Sequence, residues 1–325
     1  MRPKSVTAVA VAAALGLLGT AVAPARAGEA HVETVVTGTA HQALFAVAFD
    51  GERGTAVGAG GQILLTDDGG RSWHASKDSG TTTLSLLGVD VVGGTEIAVG
   101  QAGLVLLGDE AGNWRKVNGG TQERLFAVSM NASGIAVAVG AFGTIVRSSD
   151  RGKTWQSIAP ADIAQYSGQG AQPHLYAVMV NDRGTINVAG EFGLVLRSED
   201  GGVRWTATHK GEASLFALDL HPSGLGYAVG QSGTILRTTD GGSTWSESNS
   251  NSKSNLLSVS ADASGKVIVT AMHDVLVSND GASWHQAMWG DFGSAWYSGV
   301  RFAGSESAPA AVLVGHSGRI LRMAP

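Results

Sequence analysis

Six tryptophans close similar stretches of sequence at a nearly fixed spacing. Trp73, Trp114, Trp155, Trp205, Trp245 and Trp284 fall 41, 41, 50, 40 and 39 residues apart. Leu215 to Trp245 (LFALDLHPSGLGYAVGQSGTILRTTDGGSTW) shows the unit most fully. LFALDL alternates and breaks at His221-Pro222-Ser223-Gly224, GYAVG breaks at Gln231-Ser232-Gly233, and TILRT ends at Asp240-Gly241-Gly242 before a last run opens at Trp245. Period-two apolar placement cut by Gly, Pro, Asp and Ser is the signature of short strands and hairpins. Four antiparallel strands in about 40 residues make one propeller blade. Helical repeats are excluded, because no 3.6-residue apolar period appears and the chain carries 47 glycines, which helix interiors tolerate poorly.

Copies begin near residues 44, 86, 125, 175, 215, 256 and 296, so the expected fold is an all-β, seven-bladed propeller of four-stranded blades. The seventh copy stops after GRILRM and lacks a fourth strand. His31 to Val36 (HVETVV) precedes the first copy and has no other sheet to join. We expect it to become the outermost strand of the last blade and close the ring, which leaves no long open edge.

Residues 1–27 read as a secretory signal: Arg2 and Lys4, an Ala/Val/Leu run, then Ala25-Arg26-Ala27 as a small-x-small cleavage site. A retained membrane anchor is the competing reading, but the run is short, Ala-rich and interrupted by Pro24 and Arg26. The expected mature chain, 28–325, is a single domain without a transmembrane segment, exported to a periplasm or secreted, and monomeric. Cleavage removes three cations, Arg2, Lys4 and Arg26, and takes the formal net charge from −5 to −8. That balance argues against nucleic acid or an anionic membrane as partner. There is no cysteine, hence no disulfide, thiolate metal site or lipid-anchoring cysteine. The core alone must hold the fold.

One motif inside the repeats is specific. Thr66 to Trp73 (TDDGGRSW), Ser148 to Trp155 (SSDRGKTW) and Thr238 to Trp245 (TTDGGSTW) fit S/T-x-D-x-G-x-S/T-W. Ser198 to Trp205 (SEDGGVRW) fits except at Arg204, while Gly108 to Trp114 and Ser278 to Trp284 are one residue short. This is the Asp-box, the bacterial-neuraminidase repeat. Its Asp accepts turn amides, its Gly takes positive φ and its Trp packs between sheets. Asp68, Trp73, Asp150, Trp155, Asp200, Trp205, Asp240, Trp245, Asp280 and Trp284 are therefore expected to be structural rather than catalytic.

The longer string G-x-x-G-x-[IV]-[LV]-R-[ST]-x-D-G-G-x-x-W goes further. Gly230 to Trp245 (GQSGTILRTTDGGSTW) and Gly190 to Trp205 (GEFGLVLRSEDGGVRW) match it, and Gly140 to Trp155 nearly does. Over about residues 31–325 the chain resembles the photosystem II stability/assembly factor family. The resemblance implies a lumenal or periplasmic seven-bladed propeller that binds protein without catalysis and needs no cofactor. In oxygenic phototrophs it implies a thylakoid-lumen role in photosynthesis. The implied partner is a subunit of a membrane complex, or a transporter.

Arg147, Arg197, Arg237 and Arg322 occupy one position in the third strand of blades 3, 4, 5 and 7, where blades 1, 2 and 6 have Leu65, Leu107 and Val277. The resemblance implies an arginine-rich surface for acidic client segments. The alternative is that each guanidinium bonds a neighbouring blade's turn. On the opposite face we expect a second partner surface from Phe142, Phe192, Tyr166, Trp289, Phe292 and Trp296, near an insertion running through Ala161 to Pro173.

Enzyme signatures are sparse. No R-I-P segment accompanies the Asp-boxes, as a sialidase would need, and one ring gives no cleft of the xyloglucanase type. Asp50, Asp90, Asp182, Asp219 and Asp262 follow the first strand of successive blades, where turn chemistry explains them; as a carboxylate pair they keep a glycoside hydrolase open. A lectin using Trp289 or Trp296 is the other alternative. For metals, His41, His273 (beside Asp274) and His316 fall on adjacent blades, and three histidines with a carboxylate would suit zinc or copper. Solvated loop histidines are the alternative.

Overall fold

The computed structural model describes residues 31–166, 168, 170–287, 292–304 and 309–324. The predicted signal segment and Trp289 lie outside them. Seven four-stranded antiparallel sheets follow one another along the chain. Blade 5 shows the pattern, with strands Leu215–Leu220, Gly226–Gly230, Thr234–Thr238 and Ser246–Asn249. The second strands, buried along all or nearly all of their length, sit between sheets on both faces.

Each first strand bulges after its opening residue. In blade 5, Leu215 pairs with Gly230 and Ala217 with Val229. The bulge brings the two backbones together, and a Cβ on Gly230 would lie 1.9 Å from the Ser214 carbonyl oxygen. Only glycine fits that approach.

The ring closes as the sequence predicts. His31–Val36 pairs antiparallel with Ile320–Ala324, with Val32 opposite Met323 and Glu33 opposite Arg322, and becomes the outermost strand of blade 7.

The apolar core is divided among the seven seams between blades rather than gathered at one centre. At the closing seam, Leu44, Val47, Ala56 and Leu64 of blade 1 meet Ala303, Val312, Val314 and Ile320 of blade 7. The other six seams have equivalent clusters.

Hydrogen bonds link several neighbouring first strands. The Asp90 carboxylate accepts the Met130 N–H of the next blade at 2.7 Å, and Asp219 accepts that of Ala261 at 2.7 Å. Ser129 serves Val180 in the same way, and Ser298 Oγ donates to the Leu44 carbonyl across the closing seam. These first strands surround a central channel of about 140 Å³.

Turns between strands one and two share a face with the Asp-boxes. Turns between strands two and three, and the links between blades, lie on the other. No helix among the described residues is long and apolar enough to cross a membrane.

Candidate partner-binding surfaces

The Asp-box turns are built as their residue types require. In blade 1, Asp68 Oδ1 accepts the N–H groups of Arg71 and Ser72, each at 2.9 Å, and the Thr66 hydroxyl at 2.8 Å. Ser72 Oγ donates to Oδ2 at 2.6 Å, and the Trp73 indole N–H caps the Gly70 carbonyl. Asp150 and Asp240 repeat the arrangement. At Asp200 the Arg204 guanidinium replaces the missing hydroxyl, at 3.0 Å. The shortened box keeps Asp280 bonded to Ser278, Ala282 and Ser283. Donors aimed at a carboxylate favour its charged form. The Thr154 hydroxyl and N–H, with the Ser148 hydroxyl, hold Asp150 down to about 2. At Asp68, partial desolvation opposes the bonds from Ser72, Thr66 and Arg71, which still bring it to about 2.

Arg147, Arg197 and Arg322 are directed at the Asp-box turn of the following blade, but their partners differ. Arg197 donates to the Gly241 carbonyl at 2.8 Å and pairs with Glu199 at 2.8 Å. Arg322 donates to the Gly69 carbonyl at 3.3 Å. Arg147 reaches Gly201, where an added Cβ would lie 3.8 Å from its guanidinium, yet among the described residues its buried Nε has no acceptor. Arg237 also has a buried, unpartnered Nε. Where the position holds Leu65, the side chain packs under Gly112 of the next blade. The position is thus a seam contact at Leu65, Arg147, Arg197 and Arg322, and at Arg147 and Arg237 it holds a half-buried cation whose Nε is unmatched.

On the opposite face, Phe142 is 57% exposed and Phe192 is half-buried, both at left-handed φ (53° and 60°). Trp296 is half-buried, stacked on Phe45 with centroids 6.4 Å apart, and beside His316 at 5.9 Å. Tyr166 ends a short helix, Ile163–Tyr166, and its hydroxyl donates to the Trp205 carbonyl at 3.1 Å. Phe292 departs from the expectation. It is 4% exposed, packed edge-on against Tyr297 at 5.6 Å, and belongs to the seam core between blades 6 and 7. A buried ring presents nothing to a partner.

Sequence reasoning missed the residues that frame the channel mouth on this face. Phe45, Leu87, Phe126, Tyr176, Phe216 and Leu257 are the second residues of successive first strands and line the channel. The recurring Leu-Phe-Ala carried the signal, but as pattern alone it reads as core. His174 lies among these rings, 5.0 Å from Phe142 and 6.2 Å from Phe126.

The aspartates divide. Asp50 accepts the Gly93 N–H of the next blade at 2.7 Å, and Asp262 caps its own turn through Ser264 and Lys266. Asp182 accepts from Ala132 N–H at 3.3 Å. Asp90 and Asp219 lie inside first strands, at the fifth position, rather than in the turns after them. Burial raises both above the usual carboxylate range, against the bonds from Met130 and Ala261 and the nearby Arg301 charge. Each aspartate is thus occupied with backbone donors.

The histidine constellation does not assemble. His41, His273 and His316 are exposed and Asp274 is buried, accepting the Ser252 hydroxyl at 3.2 Å. Among the described residues no group of three or more His, Asp or Glu could hold a metal ion.

A family model described as photosynthesis system II assembly factor YCF48 matches residues 29–161, which comprise the closing strand and the first three blades. No curated protein matches the chain. Among solved structures, YCF48 bound to D1 peptide is 18% identical with a TM-score of 0.69, over 90% of this chain and 94% of that one. YCF48 from Cyanidioschyzon merolae is also 18% identical, with a TM-score of 0.70 over 90% and 98%. U3-55K has a TM-score of 0.71 at only 10% identity, over 90% and 98%. Identities this low establish likeness of fold alone. The chain is a seven-bladed propeller that resembles the photosystem II assembly factor YCF48 family, with that family's sequence pattern matched across its first three blades.

Proposed function

We propose that the protein is an exported, non-enzymatic propeller that binds an acidic segment of a client protein and so assists assembly or stability of a membrane complex or transporter. One observation carries this reading. Arg147 and Arg237 are half-buried cations whose Nε groups have no acceptor within the fold. An unmatched buried donor costs about 1–3 kcal/mol, and the terminal nitrogens of each half-buried guanidinium offer an incoming carboxylate a bidentate contact. Arg197, between them in blade order, is anchored to its neighbouring turn and keeps that seam rigid. A propeller of the same fold has been solved with a peptide bound, which supports a peptide-sized client segment.

The test is crosslinking in the compartment to which the protein is exported, followed by identification of captured membrane proteins. The Arg147→Ala/Arg237→Ala double variant should lose its captured protein while its melting temperature is unchanged. Undiminished capture, or turnover of a polysaccharide by the wild-type protein, would overturn the proposal.

A further inference from the structure

Blades 3 and 4 depart from their own repeat in three ways, and all three departures meet at the channel mouth opposite the Asp-boxes. The second residue of each turn between strands two and three is left-handed, and it is Gly60, Ala102, Ser232 or Ser317 in blades 1, 2, 5 and 7. Blade 3 puts an exposed Phe142 there. The first residue of that turn is Gln101 in blade 2 and Gln231 in blade 5, whose amide oxygens accept the N–H of Ser85 (2.8 Å) and Ser214 (3.0 Å). In blade 4 it is Glu191, which accepts the equivalent His174 N–H at 2.8 Å. Blades 1 and 3 build the same turn with Ala59 and Ala141, and blades 2 and 5 use a neutral acceptor, so the turn itself does not call for the carboxylate charge. The third departure is Tyr176, where blades 1, 3 and 5 have Phe45, Phe126 and Phe216. Its hydroxyl donates to Glu191 at 3.3 Å, and burial with the Glu191 charge pushes it up to about 12, so it stays a neutral donor.

The rings around Glu191 form walls rather than a stack. Phe126 and Tyr176 are 5.3 Å apart at 46°, Tyr176 and Phe216 5.4 Å at 68°, and Phe142 and His174 5.0 Å at 61°. The His174 Nδ1 accepts the Phe142 N–H at 3.1 Å, which ties the imidazole to the Phe142 turn. Among the described residues no Lys or Arg forms an ion pair with Glu191. Ring faces are electronegative, and a carboxylate beside them adds a full charge.

We propose that Phe126, Phe142, His174, Tyr176 and Phe216, with Glu191, form a cup for the ammonium or guanidinium of a lysine or arginine in a basic segment of a protein partner. The chain's net charge of −5 steers such a segment inward. The site lies on the face away from Arg147 and Arg237 and does not depend on what those arginines bind.

The repeats themselves supply variants the fold accepts: Glu191→Gln as in blades 2 and 5, and Phe142→Ala as in blade 2. The probe is a fluorescein-labelled Gly-Lys-Gly-Lys-Gly-Lys peptide, read by anisotropy at low salt, beside matched Glu and Leu peptides. The Lys peptide should bind best, and each variant should weaken it about tenfold. Glu110→Gln, an identical charge change in an exposed turn on the other face, should leave it unchanged. Equal loss with Glu110→Gln would mean diffuse charge attraction and overturn the proposal. So would preference for the Leu peptide, undiminished binding by Glu191→Gln, or no binding of the Lys peptide.

Discussion

At the scale of single residues, one sequence position is put to two uses. Arg197 and Arg322 donate to carbonyls of the next blade's turn, whereas Arg147 and Arg237 carry buried donors that bond nothing. Stability should follow that division. Arg197→Ala and Arg322→Ala should each cost about 1–3 kcal/mol, the range for hydrogen bonds from charged groups and the acceptors they abandon. Arg147→Ala and Arg237→Ala should be neutral or slightly stabilising, because each removes an unsatisfied donor. Urea denaturation of the four single variants checks this, and equal losses in all four would mean that every arginine is a brace. The sequence showed the shared position but not the division, since what each guanidinium meets depends on the following blade's turn.

At the scale of elements, the pattern of strands was legible because it is local. Alternation, Gly-rich turns and the Asp-box each lie within a few residues, so blade boundaries and the missing fourth strand of blade 7 could be read directly. Less was legible wherever neighbouring blades decide. Asp90 and Asp219 look like turn residues in sequence, yet they sit within first strands because the next blade offers Met130 and Ala261 N–H groups there. Phe292 looks like a loop aromatic, but Tyr297 and the adjoining seam enclose it. The closing strand has a consequence that can be measured. Val32, Val35 and Val36 are half-buried, and partial burial of three valines amounts to roughly 2–4 kcal/mol. Deleting residues 31–36 should lower stability by about that much and bare the edge of Ile320–Ala324, so that the variant self-associates as concentration rises. A monomeric variant with unchanged melting temperature, measured by light scattering and calorimetry, would show that the ring does not need its clasp.

For the whole molecule, two populations of carboxylates respond oppositely to acid. The Asp-box carboxylates are held below their ordinary value, Asp68 and Asp150 to about 2, with Asp200, Asp240 and Asp280 also lowered by turn donors. A depressed folded value stabilises at any pH above the unfolded value of about 3.9, and that contribution is lost as pH falls toward 2. Asp90, Asp219 and Glu96 are raised, chiefly by burial. Their ionised forms cost stability at neutral pH, so protonation on acidification removes a cost until the unfolded chain also takes up the proton near pH 4. The melting temperature should therefore hold or rise from neutral pH to about 4, then fall steeply between about 4 and 2. Calorimetry across that range checks it, with Asp150→Asn expected to make the lower fall shallower. A decline already under way between pH 7 and 5 would mean that other groups govern the ring, and that the charged turns and inner hydrogen bonds are not what hold seven separate seam cores in register.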